Sequence, residues 1–301
     1  MADPYILHMV SPLRHVSPFD VNMALDAGFD HVVTYAHAEV SEVRSLVQDA
    51  MFSRPPKLAR RTGFFFAGKN AVLALAMMHA AKEAMFPPFE LSLFADPAGS
   101  FTTAGAMVAC VESVLKSQKQ RELKGLRVAV FGATGVVGFG AAVICARSGA
   151  KVMLVGYDGP ERVARSAEEM KKRFDLDVDS ADGSTEEKKA ELLNEAEAAL
   201  SAARAGLQVL SKAQIDRAPH LMVVADVNAV PPAGIEGLDM KANGAEIGAK
   251  GVLGIGPFAI GDIKYKTESG LFKAMISAEK PVAFDFRNAF DLARQLVGGD
   301  G

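Results

Sequence analysis

The run RVAVFGATGVVGFGAAVICARSGAKVMLVG (127–156) restricts the fold of this chain more than any other feature. A buried-strand pattern ends at Phe131, and glycines follow at 132, 135 and 138. A helix-length apolar stretch comes next, and a second strand pattern begins at Lys151. This order is a strand, a tight turn, a helix and a parallel strand, the unit in which a nucleotide pyrophosphate rests on a helix N-terminus. Gly132 suits the turn, Gly135 lets phosphate approach the backbone, and Gly138 lets helix pack on strand. The spacing is G-x-x-G-x-x-G, with Thr134 where the commoner fingerprint has glycine. Gly132, Ala133, Thr134, Gly135, Val136 and Val137 are therefore candidate nucleotide contacts, with the positive end of the helix dipole behind them.

The residues after the second strand decide between NAD and NADP. An acid there bonds a ribose 2′-hydroxyl, and an arginine receives a 2′-phosphate. The chain reads VGYDGPERV (155–163) and offers both. Tyr157 suits the adenine and Asp158 the ribose, while Arg162 and Arg165 on the following helix suit a phosphate. NAD and NADP both stay open on these residues.

Elsewhere short apolar runs alternate with amphipathic runs of helical length. YILHMV (5–10), HVVTY (31–35), GFFFAG (63–68) and ELSLFAD (90–96) read as strands. Residues 17–28, 40–53, 70–85 and 102–119 read as the helices between them. Ser17, Pro18 and Gly28 mark the bounds of the first helix. The pattern predicts an α/β protein with parallel strands and helices over the sheet. The polar stretch KSQKQRELKG (116–125) places a boundary near Arg121. The chain thus divides into a catalytic domain, 1–121, and a nucleotide-binding domain, 122–265. Strands at 176–180, 198–202 and 221–227 complete the second sheet, and the C-terminal helices, about 266–301, pack back on the first domain.

The 301 residues suffice for two domains, each with its own core. A net charge of −3 with interleaved signs argues against a nucleic-acid binder. Cys110 and Cys145 lie in apolar stretches and read as buried thiols. Neither belongs to a metal-spaced cluster, so no metal is expected. The N-terminus has no basic segment followed by an apolar core, and residues 70–85 are too short and charged to span a bilayer. A soluble cytoplasmic protein is expected.

No nucleophile elbow, zinc-protease helix or phosphate-binding G-K-[ST] loop is present, and six histidines are scattered singly. A reaction whose hard step belongs to the nucleotide, hydride transfer, fits this inventory. Three stretches carry polar residues near strand ends. In FADPAGSFTTAGAM (94–107) Asp96, Ser100, Thr102 and Thr103 stand at a helix start, where an N-cap worth about 1 kcal/mol also accounts for them. In ADVNAVPPAGIEGLD (225–239) Asn228, a candidate cofactor contact, precedes a paired-proline turn that a rigid loop also accounts for. GIGPFAIGDIKYK (254–266) ends in Lys264 and Lys266.

These segments, in the order SPFD (17–20), ADPAGSFTTAGAM (95–107), FGATGVVG, SAARAG (201–206), ADVNAVPPAGIEGLD and IGDIKYK (260–266), resemble the NAD(P)-dependent methylene-tetrahydromethanopterin dehydrogenases of methylotrophic bacteria. The resemblance covers nearly the whole chain, and ADVNAVPPAGI is its most specific part. It implies oxidation of methylene-tetrahydromethanopterin to the methenyl cation with reduction of NAD(P)+, in formaldehyde oxidation. It also implies a pterin-binding domain, a Rossmann domain, an active site in the cleft between them, and a homo-oligomer, a trimer. The branch restricted to NADP has a basic residue at the place of Tyr157, so this chain looks like the branch that accepts both cofactors. Ala203 and Arg204 fall beside the nicotinamide half, where Arg204 is larger than the family pattern.

In that chemistry a ring-nitrogen lone pair assists hydride departure, and a carboxylate stabilises the developing cation. Asp20 is the first candidate for that carboxylate and Asp96 the second. Lys264 is assigned to the pterin and Lys69 to an anionic substrate tail, with Ser100, Thr102 and Thr103 as further substrate contacts. Other readings remain on the residues alone: a methylene-tetrahydrofolate dehydrogenase, a shikimate-type dehydrogenase, or a non-catalytic dinucleotide sensor. The Y-x-x-x-K pair of the folate cyclohydrolases is not found in the first hundred residues, where Tyr35 is followed by Glu39.

Overall fold

A computed structural model describes residues 3–299. The chain begins β1 (Ile6–Val10), α1 (Pro18–Ala27), β2 (His31–Tyr35), α2 (Val40–Phe52), β3 (Thr62–Phe66), α3 (Ala71–Ala84), β4 (Ser92–Ala95) and α4 (Ser100–Lys119). It continues β5 (Arg127–Phe131), α5 (Val136–Arg147), β6 (Lys151–Gly156), α6 (Glu161–Phe174), β7 (Asp179–Asp182), α7 (Glu186–Glu195), β8 (Ala198–Ser201), α8 (Lys212–Arg217) and β9 (Val223–Asp226). A hairpin of β10 (Asn243–Ile247) and β11 (Val252–Ile255) follows, then α9 (Pro257–Ser277), β12 (Ala283–Phe284) and α10 (Phe286–Gly298). Two compact units result. The first holds the chain through Thr102 and again over Tyr265–Leu292; the second holds Thr103–Lys264 and the stretch from Ala293.

The first unit is built on a parallel sheet of order β12-β4-β3-β1-β2. Local chemistry sets its helices. Pro18 opens α1, and Gly28 closes it in the left-handed region at φ 113°. Asn70 caps α3 by accepting the Leu73 N–H at 2.9 Å. One sheet face packs Leu7, Met9, Phe65 and Phe94 against Met23 and Ala24 of α1 and Leu271, Phe272 and Met275 of α9. Phe272 is fully buried, with its ring centroid 5.2 Å from Phe94, 5.4 Å from Phe65 and 6.2 Å from Phe29. The late segment 265–292 is therefore part of this core and also supplies the edge strand β12. His8 stacks on Phe64 at 5.0 Å, and its Nδ1 lies 3.1 Å from the Tyr35 hydroxyl. Burial, with the Arg54 charge second, holds the His8 pKa below 6.5.

The second unit has a seven-stranded sheet of order β10-β11-β9-β8-β5-β6-β7, parallel except for the β10–β11 hairpin. Helix α5 is buried continuously from Gly138 to Cys145, as a helix apolar on all sides should be. Cys110 and Cys145 are buried, and desolvation pushes both thiols up to about 12. They are packing groups, as the sequence suggests. By length and composition the stretch Pro97–Lys119 could cross a membrane, but 78% of its apolar window is buried inside the protein.

Three expectations need correction. Strand β7 spans 179–182, later than 176–180, because Asp175 ends α6 in the left-handed region and Leu176 still bonds back to Met170. The second sheet does not end near 227: β10 and β11 extend it. Helix α9 starts at Pro257, not near 267, with Pro257 in the first turn where its missing N–H costs nothing. Lys264 and Lys266 consequently stand on a helix, not at a strand end.

Replacing Phe272 by alanine should cost about 3–5 kcal/mol in chemical denaturation, the range for emptying a fully buried aromatic site; a cost under 1 kcal/mol would show that α9 is not part of this core. As pH falls below 6.5, the unfolded chain takes up a proton that folded His8 resists, so His8 should lower stability on the acid side. His8→Gln should flatten the acid limb of a plot of Tm against pH; an unchanged limb would assign that loss to other groups.

Candidate active site

In the second sheet β5 lies between β6 and β8, so the connections leaving β5 and β8 diverge at their C-terminal ends. Such a switch point is where open α/β sheets hold their ligands. The register pairs Phe131 with Ser201, bringing the loops after both strands together. Gly132 has φ +78°, and a Cβ there would lie 2.4 Å from the Ala202 carbonyl oxygen and 2.7 Å from the Ala203 nitrogen. A Cβ on Gly138 would lie 2.4 Å from the Gly132 oxygen. No side chain fits at either position. Gly135 occupies the N-cap of α5 and brings no capping side chain. The first-turn N–H groups, those of Val136 and Val137 among them, thus have no intrahelical partner, which suits an anion such as a pyrophosphate. Ala133 is buried, Thr134 is exposed, and Ala203 and exposed Arg204 follow directly on the segment that meets Gly132.

After β6 the exposed residues Tyr157, Asp158 and Arg162 contact one another. Arg162 Nη1 donates to Asp158 Oδ2 at 3.1 Å and to the Tyr157 hydroxyl at 3.2 Å. The guanidinium carbon stands 5.8 Å from the Tyr157 ring centroid.

Asn228 holds loops together. Its Oδ1 accepts the N–H groups of Val230 at 2.9 Å and Gly206 at 3.4 Å, and its Nδ2 donates to Pro232 O at 3.0 Å. The proline turn is thereby tied to the loop after β8. Asp226, which the sequence did not single out, reinforces it by accepting N–H bonds from Asn228 at 3.1 Å and Gly234 at 2.8 Å. Burial pushes the Asp226 carboxyl up, against these donors, which pull it down. The motif ADVNAVPPAG carried the signal: an acid two residues before Asn228 and at a strand end.

In the first unit the sheet is parallel, so the chain leaves every strand at the same end. The loops after β1, β3 and β4 lie there with the starts of α1, α3 and α4. Asp20, 2% exposed, sits in the first turn of α1, and Lys69 is exposed just before the α3 cap. Asp96, fully buried, accepts the Phe101 N–H at 2.7 Å and the Thr102 N–H at 3.3 Å on one oxygen, and the Thr102 hydroxyl at 2.6 Å on the other. These bonds close the first turn of α4, with buried Ser100 and half-buried Thr103 beside it. Sequence reasoning passed over Ser11, Thr267 and Glu268, all fully buried. Ser11 directly follows β1, while Thr267 and Glu268 belong to the part of α9 that precedes β12. The signal for Glu268 is a carboxylate next to Thr267 in a helix whose other buried side chains are apolar. Lys264 is half-buried on α9, one residue before the first unit's share of that helix.

Residues 18–98 match the family model described as methylene-tetrahydromethanopterin dehydrogenase, N-terminal. The chain is 48% identical over 293 residues to the NAD(P)-dependent methylenetetrahydromethanopterin dehydrogenase of Methylorubrum extorquens, covering 97% of this chain and 99% of that protein. It is 30% identical to the bifunctional protein MdtA of the same organism, over 93% of this chain and 95% of the relative. Among solved structures, the NAD-dependent malic enzyme of Thermotoga maritima superposes with a TM-score of 0.56 at 13% identity, over 96% of this chain and 84% of that one. The shikimate 5-dehydrogenase of Listeria monocytogenes gives 0.52 at 14% identity, over 98% and 96%. These two likenesses concern the fold alone. The near full-length identity to the Methylorubrum enzyme and the match over 18–98 give the family: this chain belongs to the methylene-tetrahydromethanopterin dehydrogenases.

Proposed function

We propose that this chain transfers hydride from methylene-tetrahydromethanopterin to NAD+ or NADP+, leaving methenyl-tetrahydromethanopterin, in the one-carbon metabolism that oxidises formaldehyde. The observation that carries the reading is the extent of the identity. At 48% over 97% of the chain it takes in both the glycine cradle and the polar end of the first sheet. Bound NAD(P)+ supplies the hydride acceptor. Backbone from Gly132 to Val137 would hold its pyrophosphate, and Ala203 and Arg204 would contact its nicotinamide half. The methylene carbon lies between two nitrogens whose lone pairs assist hydride departure, so the chain supplies no base. Its task is to orient the substrate and stabilise the cation that forms.

Asp20 is assigned to that charge. It is buried, and a carboxylate acts more strongly on a nearby cation where water is excluded. Asp96 is the weaker candidate, because both its oxygens already hold the start of α4. Through Thr102 it positions Ser100 and Thr103 for the substrate. Lys264 is assigned to the pterin and Lys69 to an anionic tail. The reading extends to a cytoplasmic homotrimer, which light scattering would test as three chain masses.

Purified protein mixed with methylene-tetrahydromethanopterin should reduce both NAD+ and NADP+, followed by absorbance of the reduced nicotinamide. Equal or faster reaction with methylene-tetrahydrofolate would favour the folate reading, and silence with both pterins from nucleotide-binding protein would favour a sensor. Asp20→Ala should lower kcat/KM for the pterin about 100-fold or more, the scale of losing one preorganised electrostatic group. Lys264→Ala should lower it chiefly through KM. Kinetics like those of the unaltered protein in both variants would remove these residues from the site.

A further inference from the structure

A nucleotide site that accepts both cofactors has opposite needs at one atom. A 2′-hydroxyl calls for an acceptor, and a 2′-phosphate calls for a cation and repels a carboxylate. The loop after β6 carries both groups, bound to each other. Asp158 and Arg162 are paired at 3.1 Å with side chains 38% and 48% exposed, and the Tyr157 hydroxyl takes a second bond from the same guanidinium nitrogen. No other charged group is bonded to this trio among the described residues. Exposed pairs of this kind contribute little to stability, so opening one costs little. Arg165, one helical turn further along α6, is also exposed.

We propose that Tyr157, Asp158 and Arg162 form an exchangeable clamp on the adenosine ribose, in which Arg162 changes partner between the Asp158 carboxylate and the cofactor 2′-phosphate. This rests on the nucleotide site described above. With a 2′-hydroxyl, Asp158 accepts the ribose bond and Arg162 stays on Asp158, turning its charge away from the sugar. With a 2′-phosphate, the planar donor fork of Arg162 leaves Asp158 for the phosphate oxygens and offsets the repulsion between phosphate and carboxylate. Tyr157 is 66% exposed and presents its ring beside the guanidinium as a platform for the adenine. Discrimination is weak by construction: with NAD+ the unneeded Arg162 stays paired with Asp158, and with NADP+ the bond from Arg162 to the phosphate offsets the repulsion from Asp158.

The test measures steady-state kinetics with NAD+ and NADP+, and calorimetric binding of adenosine 2′,5′-bisphosphate against AMP. The full-length protein and its Arg162→Ala, Arg162→Lys and Asp158→Asn variants would be compared. Arg162→Ala should lower the ratio of bisphosphate to AMP affinity, and the ratio of kcat/KM for NADP+ to that for NAD+, about ten-fold or more, the scale of one charge-assisted hydrogen bond. Arg162→Lys should fall between, since it keeps the charge and loses the fork. Asp158→Asn should lower kcat/KM for NAD+ several-fold and raise it for NADP+. Equal losses for both cofactors in Arg162→Ala, or no change in their ratio in any variant, would overturn the clamp and leave the dehydrogenase reading intact. Bisphosphate binding that depends on Arg162, in protein that oxidises no pterin, would support the clamp and overturn the dehydrogenase reading instead.

Discussion

The close approach of three backbone segments at Gly132, Gly138 and Ala202 is the constraint on which the second unit depends. The gap left for a Cβ at Gly132 or Gly138 is 2.4 Å, far inside any real contact, so the turn, the helix and the loop after β8 meet only as backbone. One packing requirement therefore places the uncapped N-terminus of α5 and fixes its distance from Ala203 and Arg204. Thr134 in place of the usual middle glycine is compatible with this, because that residue is exposed.

Around the cradle the loops are tied to one another. Asn228 links the proline turn to the loop after β8, and Asp226 fastens the same turn from beneath through Gly234. A loop at a ligand site pays for order with conformational entropy, and these bonds reduce what remains to be lost on binding. The segment after β6 differs. Its side chains are exposed, and their bonds can be exchanged at small cost, which suits a place that meets two forms of one ligand.

The first unit is arranged by its late segment. Phe272 lies against Phe65, Phe94 and Phe29, and β12 adds an edge strand beside β4. Residues distant in sequence thus complete the core beneath the polar end of the sheet. Asp96 shows how such an end is held: a buried carboxylate satisfied by two N–H groups and a hydroxyl organises the start of α4. The same bonds that make it a good cap leave it little capacity to meet a further charge.

Strand β2 is predicted over its observed span, and α1, α2 and α3 to within a residue or so at each end, because proline, glycine and Asn70 act locally at helix ends. The glycine loop was equally legible, since its turn and close packing are properties of a short stretch. Family membership was legible in motifs spread along the chain. What local pattern did not reveal involves distant partners. Strand β10 is short and mostly exposed, and the place of the hairpin depends on pairing of buried β11 with β9. Helix α9 begins earlier than its charge pattern suggests, because Ile260 and Ile263 are buried by partners that a linear reading does not see. The burial of Glu268 was hidden for the same reason, whereas Asp226 and the pair of Asp158 with Arg162 have partners close in sequence and depend on the turns that bring them together. The sequence by itself determined most strands and helices, the glycine turn and the family; only tertiary structure decided the late strands and the start of α9, which carboxylates hold backbone and which charges face one another, because burial and hydrogen-bond partnership are properties of the packed chain.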